Sequence, residues 1–413
     1  YGYNRSKFAW YVIDPLFFRS NDANTPGNIT DDMRQNHYSR EVLQTEVFPN
    51  RDPEQNLITN IPVLDIAFYP KERGPYNFDP PDGSNFSNGI DDDGNLIIND
   101  ANPRWGGMMR EIQTPDFEAT NVEFIQFWVM DPFDREGAGT DYEQAFGESP
   151  NGNTGRLFFN LGNVSEDILK DDRKSFENGF PFAGNDQQVD TTIWGRVPSG
   201  TAIVNAFDNN PDARPSQDIG LDGLSNAQEN DFYAEFVNAI ENSTLTEEAK
   251  NDILSDVSAD DFRYFRDADD GRAENILERY KDYNGVENNS PVGASGDFTP
   301  SSTTLPDIED INRDNDMSSI EAYYQYSIPV DQNTFNPNNV GRNFITDVIK
   351  AKAANSDKEI HWYQFKIPIR QPEQKVGSIN DFKSIRFMRM FVQGFEKPVV
   401  MRFAQLSLVR GEW

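Results

Sequence analysis

VEFIQFWVMDPF, residues 122–133, is apolar on both alternating faces: Ile125, Phe127 and Val129 point one way, and Phe124, Trp128 and Met130 the other. Successive side chains of a strand project to opposite sides of its sheet, so a strand apolar on both sides has protein above and below it. The stretch predicts a central strand of a β-sandwich. Working outward, IPVLDIAFYP (61–70) alternates Val63, Asp65 and Ala67 against Leu64, Ile66 and Phe68, as a strand with one strongly apolar face does. RLFFNLG (156–162) reads as a short strand, and HWYQFKIPIR (361–370) places Tyr363, Phe365, Ile367 and Ile369 on one face. SIRFMRMFVQGF (384–395) and VVMRFAQLSLVRGEW (399–413), joined by the turn residues 394–398, read as an antiparallel hairpin.

Helical spacing marks 31–48, residues 164–176 with Ser165 as cap, and a run from about 225 to 283 that interrupts the strands. Residues 71–104 are rich in Pro, Gly, Asn and Asp and read as loop. The fold expected is mainly β with an α insertion: an antiparallel, jelly-roll-like sandwich over 61–413 with a helical insert at about 225–283. Residues 1–60 open with the aromatic run YGYNRSKFAWYVIDPLFFRS and form an N-terminal docking segment. A membrane barrel is the competing arrangement, but Arg386, Arg389 and Arg402 within the last strands make a lipid-facing surface awkward there.

The 413 residues include 31 Phe, 15 Tyr and 6 Trp, so the apolar volume comes from rings, which suit pleated, half-buried surfaces. A net charge of −32 with no basic stripe excludes nucleic acid and anionic membrane surfaces as partners. The absence of cysteine removes disulfides, thiolate metal sites and a Cys nucleophile. No apolar run approaches the roughly 20 residues of a membrane helix, and the first residues lack a signal-peptide pattern. With its abrupt ends, the chain reads as a piece of something longer.

So much negative charge makes calcium worth testing for. A calcium loop of the EF type takes oxygen ligands at positions 1, 3, 5, 7, 9 and 12, with glycine at 6 for the turn. In DIGLDGLSNAQE, Asp218, Asp222, the Leu224 carbonyl, Asn226 and Glu229 fall on ligand positions, Gly223 falls on the turn, and only Gly220 offers no side chain. In DINRDNDMSSIE, Asp310, Asn312, Asp314, the Asp316 carbonyl, Ser318 and Glu321 fill every ligand position, with Asn315 in place of the glycine. A weaker match in NGIDDDGNLIIND offers Asp91, Asp93, Asn95 and Asp100 around Gly94, with Gly89 at position 1. The plainer reading is that a chain rich in Asp, Asn and Gly meets such spacing by chance, since these residues simply form turns.

Nothing comparable supports catalysis. His37 and His361 are the two histidines, and the latter stands at the head of a strand. Glu118, Glu123 and Asp131 flank the strand bearing Trp128, where a sugar-handling sandwich could place a site, but solvated surface acids are the plainer reading of them. RWGGMMR (104–110) lacks the GKS or GKT ending of a phosphate loop, and a tight bend explains its glycines.

Several long runs carry a resemblance: YNRSKFAWYVIDPLFF (3–18), NPRWGGMMREIQTPDFEATNVEFIQFWVMDPF (102–133), FFNLGNVSEDILKDDRKSFENG (158–179), VNAFDNNPDARPSQDIGLDGLS (204–225), PDIEDINRDND (306–316) with EAYYQYSIP (321–329), and KSIRFMRMFVQGFEKPVVMRFAQLSLVRGEW (383–413). Along its length the chain resembles the SprA (Sov) family, the giant outer-membrane translocon of the type 9 secretion system and of gliding motility. The resemblance implies a non-catalytic, soluble domain of an outer-membrane export protein, facing the cell surface or the periplasm. The rest of the translocon barrel with its associated subunits, and exported cargo proteins, would be its partners. The loop spacings, separately, make structural Ca2+ the expected stabiliser. The WGG…TPDFEATNVEFIQFW and SIRFMR…LVRGEW parts are reminiscent of carbohydrate-binding jelly rolls. A glycan-binding or adhesive module at the cell surface is therefore the alternative. An exposed pair among Trp10, Trp105, Trp128, Trp194 and Trp362 would favour the glycan module, and burial of all five a structural part.

Overall fold

The computed structural model describes residues 2–20, 25–51, 60–133, 140–176, 189–199, 206–207, 210, 213, 216–217, 219–266, 274–283, 305–353 and 358–411. The chain contributes strands β1 (Ser6–Tyr11), β2 (Leu64–Arg73), β3 (Trp105–Glu111), β4 (Val122–Met130) and β5 (Gly155–Asn163). A small hairpin, β6 (Val189–Thr191) with β7 (Arg196–Pro198), follows. Then come β8 (Ala322–Val330), β9 (Ile345–Lys352), β10 (Glu359–Pro368), β11 (Gln374–Val376), β12 (Phe387–Gln393) and β13 (Val399–Arg410).

Two antiparallel sheets result, one ordered β1-β2-β13-β4-β10-β9 and the other β11-β8-β5-β12-β3. They face each other as a sandwich. The Ile125, Phe127 and Val129 face of β4 does what its pattern predicts: Phe127 lies 5.2 Å from Phe365 and 5.4 Å from Phe403 in its own sheet, and 5.5 Å from Phe159 across the gap. Ring pairs at such separations are worth roughly 0.5–1.5 kcal/mol beyond the area they bury. Tyr363, Phe365 and Ile367 of β10, with Ile369 just past its end, enter the same core.

The outer face of the six-stranded sheet is buried as well. Trp128, Met130 and Trp362 turn away from the sandwich into a second core. That core is covered by the N-terminal segment, including α1 (Asp31–Gln35) and α2 (Gln44–Val47), by α3 (Asp141–Phe146), and by α7 (Ile276–Lys281). Tyr11 of β1 stacks on Tyr280 of α7 at 4.5 Å. β1 pairs with β2 and forms an edge of the six-stranded sheet. A third, smaller core joins α5 (Ala234–Glu241) and α6 (Glu247–Ser255) to the turn that carries Ile90 and Leu96. The remaining helix, α4 (Asn226–Phe232), begins at a capping box between Ser225 and Gln228.

Four local expectations change. Strands β12 and β13 do not form a hairpin. β12 pairs with β3 and β5, and β13 with β2 and β4, so residues 394–398 cross from one sheet to the other. Gly394 takes the left-handed conformation (φ 85°) there, and Phe395 drops into the core 6.2 Å from Phe68. Residues 164–176 form a loop instead of a helix, with Lys170 and Asp172 at positive φ (58° and 57°). The 31–48 helix is two short ones parted by the strap 36–43. RWGGMMR is a strand whose glycines allow close packing: a Cβ on Gly106 would lie 2.6 Å from that of Phe8, and one on Gly107 would lie 2.5 Å from that of Phe391. Among the described residues no helix is long and apolar enough to cross a membrane.

Candidate functional site: a carboxylate cluster beside an aromatic cleft

The loop 219–229 leads into α4, as its spacing predicts. Gly220 (φ 82°) and Gly223 (φ 66°) both take left-handed turns that a side chain would strain. Asp218 lies outside the described residues. Asp222 is sealed and turned inward: its Oδ1 accepts from the Leu224 N–H at 3.0 Å, while Oδ2 accepts from the Ser258 hydroxyl at 2.7 Å and the Tyr233 hydroxyl at 3.1 Å. Glu229, on the buried side of α4, accepts from the Ser258 N–H at 2.9 Å. Asn226 donates to the Ser255 carbonyl and to Asp261, both at 2.7 Å. The loop is thus bound at three points to residues 255–261, the turn that follows α6.

That turn adds two acids which the linear spacing could not include. Asp256 accepts from the backbone N–H groups of Asp260 and Asp261, each at 3.2 Å, and so shapes the turn. One carboxylate oxygen each from Glu229, Asp256 and Asp260 lies within 4.8 Å of the others. Asp260 is 5 % exposed; the Tyr76 hydroxyl stands beside its carboxylate, and its Oδ2, which faces Gly220, has no hydrogen-bond partner among the described residues. Burial raises the proton affinity of Asp222, Glu229 and Asp260, and their mutual repulsion adds to it. The Arg73 guanidinium donates to the carbonyls of Asn77 and Val257 and lies over the Phe236 ring.

The other two loops are built differently. In 310–321 the protein's own cations sit on the acids: Lys174 is 2.6 Å from Asp310, Arg386 is 2.5 Å from Asp314, and Arg389 is 3.5 Å from Glu321. Asp310 also accepts from the N–H groups of Asp314 and Asn315. Asn312 and Ser318 offer their N–H groups to the buried carboxylate of Glu166, and the Asp316 N–H bonds Asp314. In 88–100, Asp91 accepts from the N–H groups of Asp93 and Asn95 in a tight turn, with Asp91, Asp93 and Asp100 exposed to solvent. Gly94 of this turn rests on Ala249 of α6.

Adjoining the carboxylate cluster is a cleft of about 570 Å³. It lies where the edge strands of the two sheets, β1 and β3, come together through a bridge between Arg5 and Trp105. The Arg5 guanidinium caps the Trp105 ring at 5.2 Å. Phe8, Trp10, Trp105, Met108, Met109 and Phe391 supply its apolar floor, and the loops 165–168, 307–311 and 220–221 supply its walls. Trp128 and Trp362 are core residues, whereas Trp10 and Trp105 are half-buried and share this cleft. Trp194 packs instead beside Tyr76 and Leu221.

The wall at 164–176 is held from a distance. Glu309, fully buried, accepts from the N–H groups of Ile168 (2.6 Å), Leu169 (3.0 Å) and Ser175 (2.9 Å). Burial pushes its carboxyl up to about 7 against the pull of those donors. The acids weighed for catalysis have separate partners: Glu118 accepts from the Phe382 N–H, Asp131 from the Phe133 N–H, and Glu123 lies against Gly411.

Residues 235–413 match the model of a family described as a motility related/secretion protein, SprA_N. No curated protein matches the chain.

Proposed function

We propose that this chain, a fragment of the SprA family of motility related/secretion proteins, is a non-catalytic, partner-binding segment of an outer-membrane export translocon of the type 9 kind. Its working surface is the cleft between β1 and β3, and the ligand is an extended, apolar polypeptide segment from exported cargo or from the rest of the translocon. The carrying observation is that both sheets end at this cleft, with Trp10, Trp105, Met108 and Met109 left half-buried between them. An edge strand offers unpaired backbone groups that an incoming strand can satisfy. Methionines fit irregular apolar partners, because their unbranched side chains repack at low cost. The rigid three-layer body would hold that edge in place, on the cell-surface side of the membrane or in the periplasm.

The half-buried pair Trp10 and Trp105 also supports the second reading, a glycan-binding module, since stacked sugars use such rings. One experiment separates the two. Met109→Glu, introduced into the whole export protein in cells, is expected to reduce secretion several-fold while protein level and melting temperature hold. Unchanged secretion would count against the peptide reading. Oligosaccharide binding by the isolated chain that Trp105→Ala abolishes would replace it with the glycan one.

Calcium enters this picture at the carboxylate cluster alone, because the 310–321 acids already have Lys174, Arg386 and Arg389 as counter-charges.

A further inference from the structure

We infer that Glu229, Asp256 and Asp260 bind one calcium ion, and that Asp222 positions them through Ser258. Two ligand oxygens on opposite sides of a calcium ion, each at about 2.4 Å, stand roughly 4.8 Å apart, so three oxygens within 4.8 Å of one another can share a single ion. Carboxylates gathered this closely repel one another, and burial leaves water little room to relieve it. Elsewhere the protein answers a buried acid with a lysine, an arginine or several N–H groups, as it does at Asp310 and Glu309. At Asp260 the Tyr76 hydroxyl stands beside the carboxylate, but no lysine, arginine or N–H group answers Oδ2, although the residue is 5 % exposed and borders Gly220 on the facing loop. An oxygen left this way is a ligand position waiting for a cation.

Only oxygen donors are present, which fits a hard divalent ion and argues against zinc, for which imidazole or thiolate is preferred. The ligands come from two segments with irregular spacing, α4 and the turn after α6. Such a set suits the flexible coordination of calcium better than the strict octahedron of magnesium. Asp222 has a different duty. Its oxygens are fully engaged by Leu224, Ser258 and Tyr233, and with Glu229 it grips Ser258 from both sides, fixing the turn that carries Asp256 and Asp260. Gly220 and Leu221 of the same loop line the aromatic cleft, so an ion here would stiffen one wall of that cleft.

The test is calorimetric titration of the 413-residue chain with calcium chloride after chelator treatment, paired with thermal melting in calcium and in chelator. The expected result is one site and a melting temperature raised by calcium. Asp260→Asn and Asp256→Asn should each weaken binding at least tenfold and remove the calcium-dependent rise. Asp256 is half-exposed, so its variant decides the matter if Asp260→Asn does not fold. Asp310→Asn, which alters an acid already paired with Lys174, should keep both responses. The inference is overturned if calcium leaves the wild-type melting temperature unchanged, or if either cluster variant binds calcium as the wild type does. Equal stabilisation by magnesium chloride would overturn the choice of calcium.

Discussion

Arg402 of β13 and Asp65 of β2 stand directly opposite each other in register, with Nε 2.9 Å from Oδ1 and side chains only 1 % and 0 % exposed. The pair lies on the outer face of the six-stranded sheet. The same guanidinium donates to the carbonyl of Arg40 at 2.9 Å and to that of His37 at 2.5 Å. One side chain thereby fastens the strap 36–43 to the sheet and closes the second core. Burial still pushes the Asp65 carboxyl up to about 6 despite the arginine beside it, so desolvation outweighs attraction at this site.

That balance predicts an asymmetric mutational response. Arg402→Met leaves Asp65 as an uncompensated buried charge and orphans two carbonyls, which should cost about 3–5 kcal/mol in denaturant unfolding. The double variant Arg402→Met with Asp65→Leu removes the stranded charge and should recover a good part of the loss. A single-variant cost below about 1 kcal/mol would show that the pair fastens nothing.

How much of this was legible in the sequence depends on how local the cause is. The two apolar faces of Ile125–Met130 and the alternation of Tyr363–Ile369 identified β4 and β10 because one strand's side chains carry the whole signal. The alternation places Asp65 opposite the strongly apolar face, but nothing local marks it as a buried ion-pair partner, because Arg402 lies 337 residues away. The strands at 387–393 and 399–410 were readable, but their pairing was not: a short connection suggests a hairpin, and nothing nearby reveals that Phe395 enters the core and sends the chain across. For the acidic loops, spacing brought out Glu229 and the turn at Gly223. It could not see Asp256 and Asp260, which arrive from the far end of α6.

Glu309 illustrates the same limit and yields a second prediction. Residues 164–176 carry helical spacing, yet three of their N–H groups turn to one carboxylate about 140 residues away in the chain. Glu309→Gln places an amide NH2 against at least one of those donors, and a buried donor left without an acceptor costs about 1–3 kcal/mol. Glu309→Ala strands all three and should cost more. Hydrogen exchange should rise at Ile168, Leu169 and Ser175 before it rises in β5. Unchanged protection at these amides would dissociate the loop from Glu309.

His37 provides the pH prediction. Its Nδ1 accepts from Arg40 Nε at 3.0 Å, which requires an unprotonated nitrogen there. Burial, together with the charges of Arg40, Lys358 and Arg402, lowers its pKa from 6.5 to about 3; the neighbouring Asp141 bonds its backbone N–H. The unfolded chain therefore binds a proton near pH 6.5 that the folded protein refuses until about pH 3. Between those values the unfolded state holds more protons, so the contribution of this residue to stability is full above pH 6.5 and is lost as pH falls, by about 1.4 kcal/mol per unit. Acids such as Glu309, raised by burial, change in the opposite sense, so total stability alone cannot isolate the histidine. The difference between wild type and His37→Gln can. Measured by denaturant unfolding at pH 7, 6 and 5, the wild type should lose stability relative to the variant by about 1 kcal/mol or more between pH 6 and 5. Parallel curves would mean that His37 takes up its proton in the folded state after all.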